Sequence, residues 1–190
     1  MGTVTSSQAV RNRTWPSTLA VLVILVAVVL GGYFTAALLA TPQGRPVDVG
    51  GLVRVTPLSG WEVANEGKVG DIPTARLTRG NGNLDVFAVD SAGSDVELLR
   101  RYVDGFLKPE ARELSVSEEI ERIRLDSGLE AVRVNYLGAF GDLTVPIEGQ
   151  VTATVSPSGA GVVFDGWASE GMYGFAAGDV DQMIAAAEVS

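Results

Sequence analysis

The sequence predicts an α+β fold: a single N-terminal transmembrane helix followed by an antiparallel sheet packed with helices. Three observations predict it. An uncharged apolar run fills residues 18–40, short alternating segments separated by turn residues follow, and two amphipathic helical stretches interrupt those segments. Because the segments are joined by hairpin turns, antiparallel pairing is favoured over a doubly wound parallel sheet.

The run at residues 18–40 reads TLAVLVILVAVVLGGYFTAALLA and contains no charged side chain. As a helix it would extend about 34 Å, which is enough to cross a hydrocarbon core of about 30 Å. Arg11 and Arg13 precede the run, which favours a cytoplasmic N-terminus. A cleaved signal peptide is the competing interpretation, but the run is longer than the apolar region of such peptides.

The predicted chain therefore has four parts. Residues 1–17 are a cytoplasmic tail, 18–40 the transmembrane helix, 41–51 a linker rich in proline and glycine, and 52–190 an extracytoplasmic α+β domain. The expected location is the plasma membrane, crossed once, with the C-terminal domain outside the cytoplasm.

Composition excludes several functions. Residues 41–190 carry 23 acidic and 12 basic side chains, a net charge of −11, which excludes nucleic acid as a partner. The chain has no cysteine and no histidine, so it has no disulfide, no thiol nucleophile, no histidine-containing triad and no metal site built on those residues. We therefore expect no enzyme activity, no catalytic residues, no cofactor and no metal.

Seven segments have the alternation or the β-branched content of strands. They are residues 53–55, 74–79, 83–89, 119–125, 129–137, 147–155 and 160–168. Asn81-Gly82 predicts a hairpin turn that pairs Leu77 with Val86, and residues 156–159 predict a second hairpin loop. The segment at 119–125 also fits a helix.

Two helices are predicted in the domain. The first runs from Asp95 to Leu107, because Ser94 and Glu97 form a capping box and Pro109 follows its end. The second covers residues 180–189. Its inner stripe is Val180, Met183, Ile184 and Ala187.

The order of these segments carries a family resemblance. A Gly-Trp pair at 60–61 precedes the hairpin LTRGNGNLDVFAV at 77–89, and a helix, YLGAF at 136–140 and IEGQVTA at 147–153 follow. This order resembles the PsbP-like α/β sandwich over about residues 52–189, in particular the versions carried by anchored or lipid-modified envelope proteins of actinobacteria. The resemblance implies a small non-catalytic module that docks on membrane-associated assemblies. A lipid-modified version needs a cysteine after the span, which this chain lacks.

The last predicted hairpin suggests a candidate binding surface. Pairing Val155 with Ala160 would place polar and aromatic side chains on one face of the two strands. The candidate residues on that face are Glu148, Gln150, Asp165 and Trp167. A tryptophan beside carboxylates and an amide fits a glycan or a partner loop. In the alternative interpretation, the linker or Trp61 packs over Trp167 and the polar residues are ordinary surface residues.

Two functions follow from the sequence. The first is a membrane-anchored extracytoplasmic non-catalytic module that binds or scaffolds an envelope protein complex, with the membrane and an envelope protein as its partners. The alternative is a lipid- or glycan-binding domain at the outer surface of the plasma membrane. An apolar cavity between the sheet and a helix would favour the alternative.

Overall fold

The computed structural model of the protein describes residues 44–89, 92–141 and 145–190. The predicted cytoplasmic tail and the predicted transmembrane helix at 18–40 lie outside these residues, and so do the first three residues of the predicted linker. Within the described ranges, no helix is both long enough and apolar enough to cross a bilayer.

The described residues contain two sheets in which all paired strands are antiparallel. The strands are β1 Val47–Val49, β2 Val53–Val55, β3 Glu62–Val69, β4 Ile72–Arg79, β5 Gly82–Val89, β6 Ala111–Val116, β7 Glu121–Arg124, β8 Glu130–Phe140, β9 Ile147–Val155, β10 Gly161–Ser169 and β11 Glu188–Val189. The large sheet has the order β3-β4-β5-β10-β9-β8-β6, with β7 paired to β8, and the small sheet has the order β1-β2-β11.

The helical segments are α1 Asp95–Tyr102, a π-helical turn Val103–Leu107, α2 Lys108–Glu110 and α3 Ala177–Ala185, which follows a 3-10 turn at Tyr173–Phe175. Helix α1 begins with the predicted capping box: the Ser94 hydroxyl accepts from the Glu97 backbone N–H, and the Glu97 carboxylate accepts from the Ser94 N–H. The predicted antiparallel sheet packed with helices is confirmed.

Helices α1 and α3 cover opposite faces of the large sheet. Successive side chains of a strand point to opposite faces, so β5 and β10 contribute to both layers. Phe87 and Val163 lie in the apolar cluster under α1. Phe164 and Val86 are buried on the other face, which α3 covers. We call these the α1 face and the α3 face.

The β4–β5 hairpin turns at Gly80-Asn81, one residue earlier than the predicted Asn81-Gly82, because Arg79 pairs with Gly82. Gly80 has a φ of +58°, which suits the first position of a type II′ turn. Leu77 therefore pairs with Leu84 instead of Val86. A shift of two residues leaves every side chain on its predicted face.

Part of the predicted linker at 41–51 is a strand. Val47 and Val49 are buried, and β1 pairs with β2 after a turn at Gly50 and Gly51, whose φ values are +66° and +72°. The valines alternate with Asp48 over too few residues to stand out in the sequence. The linker prediction is therefore wrong from residue 47 onward.

Two further predictions differ from the structure. Strands β3 and β6 were not predicted, since both are exposed or half-exposed and lack a regular apolar pattern. The final helix ends at Ala185 instead of residue 189, because Glu188 and Val189 pair with β2 and complete the small sheet. The predicted inner stripe of this helix is buried as expected.

The close packing of α3 on β10 generates a prediction. A Cβ on Gly166 would lie 2.6 Å from Val180 Cγ1 and 2.9 Å from the Tyr173 hydroxyl. We expect Gly166→Ala to lower the free energy of unfolding by about 1–3 kcal/mol, because these buried groups have to move apart.

Urea unfolding measures this difference, with Gly67→Ala as the matched control. Gly67 also lies in a strand, but no atom comes within 4 Å of its Cβ position. We expect the control to unfold at the wild-type urea concentration or slightly above it. Equal midpoints for the two variants would contradict the packing argument.

Candidate functional site

The β9–β10 hairpin has a register that differs by one residue from the predicted one. Val155 pairs with Gly161 instead of Ala160, because residues 156–160 form a loop closed by a 2.8 Å hydrogen bond from the Ser156 N–H to the Ala160 carbonyl. A one-residue shift moves every side chain of one strand to the other face of the sheet relative to its neighbour.

The predicted binding surface therefore does not form. Asp165 and Trp167 lie on the α1 face, where they pair with Val151 and Gly149, while Glu148 and Gln150 lie on the α3 face. The four side chains are divided between two layers of the protein. The prediction that they share one surface is wrong.

Glu148 and Gln150 each hold a neighbouring segment in place. The Glu148 carboxylate accepts a 2.7 Å hydrogen bond from the Tyr173 backbone N–H. Gln150 is buried; its side-chain amide N–H donates to Oδ1 of the Asn135 side chain, and its side-chain oxygen accepts from the Arg133 guanidinium. Both residues stabilise the packing of the α3 face.

Arg76 and Asp85 contact the Trp167 side chain. The guanidinium of Arg76 lies 5.4 Å from the centre of its ring, and the indole N–H donates a 2.9 Å hydrogen bond to Asp85. Trp61 is buried elsewhere and donates to Asp179. Trp167 thus belongs to a polar group on the α1 face.

That group is built around two aspartates on directly paired positions of β5 and β10. We call it the carboxylate centre, and it consists of Asp85, Asp165, Arg76, Tyr102, Tyr136 and Trp167. Asp85 accepts two hydrogen bonds from Arg76, at 2.5 and 2.8 Å, in addition to the one from Trp167. This bidentate pairing compensates the negative charge of Asp85.

Asp165 is 3% exposed and forms no ion pair with any residue that the structure describes. One of its oxygens accepts from the Tyr102 hydroxyl at 2.8 Å and the other from the Tyr136 hydroxyl at 2.9 Å. Burial raises the pKa of Asp165 to about 7, against the smaller lowering effect of the two tyrosine hydrogen bonds. Burial and the nearby Asp165 raise the pKa of both tyrosines, so their hydroxyls stay protonated.

The carboxylate centre connects α1 to the sheet. Tyr102 belongs to α1, Tyr136 to β8 and Asp165 to β10, so three elements meet at one side chain. Gly149 makes room for this contact, because a Cβ there would lie 2.7 Å from the Tyr136 ring. A carboxyl with a pKa near 7 has the acidity of a general acid–base, but tyrosines occupy both of its oxygens. Its geometry fits a structural role.

An apolar groove lies beside this centre, between α1 and strands β3 to β5. Its volume is about 340 Å³, and one guanidinium is the only charge in its lining. The lining side chains are Val69, Ile72, Phe87, Val89, Leu98, Tyr102, Phe106, Val163 and Arg101. The groove is thus a concave apolar surface next to the residue that connects α1 to the sheet.

Aromatic rings form one wall of the groove. Phe106 stacks on Tyr102 with ring centres 5.1 Å apart and meets Phe87 edge-on at 5.4 Å. Phe106 lies in the π-helical turn and is partly exposed. Since the Tyr102 hydroxyl is held by Asp165, the carboxylate centre also positions this wall.

Sequence reasoning missed four residues of the carboxylate centre: Arg76, Asp85, Tyr102 and Tyr136. One signal was present in the sequence. Asp85 stands in the apolar run LDVFAV and Asp165 in the run VVFDGW, and a lone acid in such a strand has to find partners when it is buried. Among the described residues, no group of three or more acidic side chains is arranged to hold a metal ion.

The burial of Asp165 predicts how stability depends on pH. Its pKa is about 7 in the folded protein and near 3.8 in an unfolded chain. Between these values the folded state binds more protons, so the free energy of unfolding falls as pH rises from about 4 to 7. We expect a decrease on the order of a few kcal/mol across this range.

Asp165→Asn removes the titrating group, so we expect its unfolding free energy to vary much less between pH 4 and 7. Asp104→Asn is the control, because Asp104 is an exposed carboxylate paired with Lys108, and this variant should keep the wild-type slope. Urea unfolding at several pH values measures the slopes. Parallel curves for wild type and Asp165→Asn would contradict the assignment.

The fold is shared with solved structures of very low sequence identity. Cyanobacterial PsbP (CyanoP) from Synechocystis sp. PCC 6803 matches with a TM-score of 0.54 and 13% identity, over 79% of this chain and 94% of that one. LpqN, involved in cell envelope biogenesis of Mycobacterium tuberculosis, matches at 0.51 and 14%, over 78% and 91%. The Ran-binding protein Mog1p of Saccharomyces cerevisiae matches at 0.50 and 11%, over 78% and 96%.

Sequence comparison adds nothing to these matches: no protein-family model and no curated protein matches the chain. At identities of 11–14%, the likeness shows the fold and no more. The chain has the PsbP-like fold that the order of its sequence segments predicted.

Proposed function

We propose that this chain is a non-catalytic, membrane-anchored module on the outer face of the plasma membrane, whose apolar groove binds a segment of an envelope protein. The proposed anchor is the uncharged run at 18–40, and Arg11 and Arg13 before it support a cytoplasmic N-terminus. The role of LpqN in cell envelope biogenesis supports an envelope setting, and the Ran-binding role of Mog1p is a case of protein binding by this fold.

The groove is the observation that carries the proposal. Val69, Ile72 and Phe106 line it and are 37–50% exposed, so the groove is open to solvent along one side. Clustered large apolar side chains around a concave surface mark interaction sites. A small ligand is usually enclosed, whereas an open groove suits apolar side chains presented by a helix or strand of a partner.

The charge at the rim of the groove indicates which chemical groups a partner segment should carry. Arg101 lies beside the apolar lining, is exposed, and forms no ion pair within the part of the chain that the structure describes. An interface is favoured when opposite charges face each other at its rim. The partner segment that we propose therefore carries a carboxylate next to its apolar side chains.

A lipid is the second candidate ligand, because the groove is apolar and its volume of about 340 Å³ falls in the range of small-molecule sites. An alkyl chain would occupy the groove and an anionic head group would contact Arg101. A glycan is disfavoured, since the lining offers few polar groups. The openness of the groove favours the protein segment over the lipid.

The proposal of a non-catalytic role rests on chemistry. The chain has no cysteine and no histidine, and Asp165, whose pKa is the one raised to near 7 among the described carboxyls, is enclosed by Tyr102 and Tyr136. A general acid–base has to reach the substrate proton directly or through one water. The residues of the groove itself are apolar and one arginine, which bind but do not transfer protons.

Photo-crosslinking of the full-length protein in its native membrane tests the proposal. A photoreactive amino acid at Ile72 in the groove should capture peptides from one envelope protein, in a segment where apolar residues neighbour an aspartate or glutamate. The same amino acid at Glu188, an exposed position on β11, is the control and should not capture that segment.

Charge reversal distinguishes a specific contact from chance capture. We expect Arg101→Glu to lower the yield at Ile72 about tenfold, equivalent to about 1.4 kcal/mol, and a carboxylate-to-lysine change in the captured segment to restore it. Capture of lipid alone at Ile72 would show that the groove binds a lipid, the second candidate ligand, and not a protein segment. Equal yields at Ile72 and Glu188 would show that the groove is not the binding site.

A further inference from the structure

The loops of the large sheet lie at its two ends. Because the strands are antiparallel, the end of β4, the start of β5, the end of β10 and the start of β9 lie side by side. The end of β8 lies next to the start of β9. We call this the proximal end, and it is marked by Arg79, Gly82, Phe140, Ile147 and Ser169.

The chain enters the domain near the proximal end. The N–H of Gly44, the first described residue, donates to the Pro57 carbonyl, and a tight turn then leads from Leu58 to Trp61. Trp61 directly precedes β3, whose first residue pairs near the end of β4. Its ring lies 3.4 Å from the Cβ position of Gly82. The N-terminus of the described domain is thus one short loop from the proximal end.

The proximal end also carries exposed apolar side chains. Phe175 is 77% exposed and Met172 is 38% exposed. Large apolar side chains are usually more buried than Phe175 is. Both belong to the loop after β10. This loop is held to the end of the sheet, because the Glu170 N–H donates to the Pro146 carbonyl and Ala176 lies 2.6 Å from the Cβ position of Gly82.

Further exposed apolar residues lie at the same end. Val145 precedes β9, Leu137 lies near the end of β8, and Val63 lies at the start of β3. Two exposed residues of the groove, by contrast, lie toward the opposite end, where β3 ends at Val69 and β4 begins at Ile72. Two apolar surfaces therefore lie toward opposite ends of one sheet.

The chain between the proposed span and Gly44 is short, and this length indicates what covers the proximal end. If the span ends at residue 40, three residues separate it from Gly44, and the four Cα–Cα steps from residue 40 to Gly44 reach at most about 14 Å when fully extended. This step rests on the proposed membrane anchor. The bilayer surface would then be the nearest large apolar phase to the loops of the proximal end.

We infer that the proximal end rests on the bilayer that residues 18–40 are proposed to cross, with Phe175 and Met172 inserted among the head groups and the upper acyl chains. Transfer of exposed apolar side chains out of water stabilises this contact. In this orientation the groove points away from the membrane and stays accessible to an envelope protein.

The charges at this end do not favour one lipid class. Arg79 and Lys108 at this end are paired within the domain, with Asp179 and Asp104. Arg45 and Arg112 also lie there, and so do the acidic residues Glu110 and Glu113. Glu170 adds a negative charge in the loop itself. The contact thus depends on apolar side chains, and vesicles of zwitterionic phosphatidylcholine are the appropriate probe.

The test uses the full-length protein in phosphatidylcholine vesicles. The chain has no cysteine, so a single one carries an environment-sensitive fluorophore. Gly174→Cys places it next to Phe175, and Gly67→Cys on exposed β3 is the matched control, because no atom lies within 4 Å of either Cβ position. We expect quencher-bearing lipids to quench the label at 174 several-fold more than the label at 67, and aqueous iodide to show the reverse order.

The apolar side chains are then removed. Adding Phe175→Ser and Met172→Ser to the Gly174→Cys protein should abolish most of the quenching by lipid, while thermal unfolding of the labelled proteins checks that the fold is retained. Equal iodide quenching at 174 and 67 would overturn the inference. So would a label at 174 that is protected from iodide but not quenched by lipid, because a protein contact would then cover the loop.

A further measurement distinguishes failure of the proposed anchor from failure of the surface contact. An alkaline carbonate wash of the same vesicles removes the protein only if residues 18–40 do not span the bilayer. Protein that resists the wash with an iodide-accessible label at 174 overturns the surface contact and leaves the proposed anchor standing. Protein that is washed off, but was quenched by lipid at 174 beforehand, supports the surface contact and overturns the anchor.

Discussion

The Asp165 carboxyl accepts one hydrogen bond from Tyr102 of α1 and one from Tyr136 of β8, and the position of α1 on the sheet depends on this contact. The packing of apolar side chains is tolerant of small rotations, whereas two hydroxyls on one buried carboxyl allow a single geometry. The cost is the desolvation of Asp165, which raises its pKa to about 7. The gain is a helix with a defined position beside the groove.

The second aspartate of the carboxylate centre is stabilised differently. Asp85 lies directly across from Asp165, and two ionised carboxylates at that separation would repel each other. Arg76 neutralises Asp85 through two hydrogen bonds and also covers the Trp167 ring. One carboxyl of the pair thus has a cation and the other has neutral donors, which is how the sheet holds both acids under α1.

Two apolar surfaces lie toward opposite ends of the large sheet. The groove is lined by the ring of Tyr102, whose hydroxyl belongs to the carboxylate centre, and by Val69 at the end of β3 and Ile72 at the start of β4. Phe175 lies at the proximal end, near the point where the chain enters the domain. The proposed membrane contact and the proposed binding groove thus lie toward opposite ends of one continuous hydrogen-bonded sheet.

The sequence by itself determined the antiparallel sheet packed with helices, the capping box at Ser94 and Glu97, and the buried stripe of α3, because these depend on local pattern. Only the tertiary structure decided which side chains meet. The five-residue loop after Val155 shifted one hairpin by one residue and separated Glu148 and Gln150 from Asp165 and Trp167. Strand register depends on loop closure and cross-strand packing, and neither is written in the period of a single strand. The partners of Asp165 lie 63 and 29 residues away along the chain, so no local pattern could have identified them.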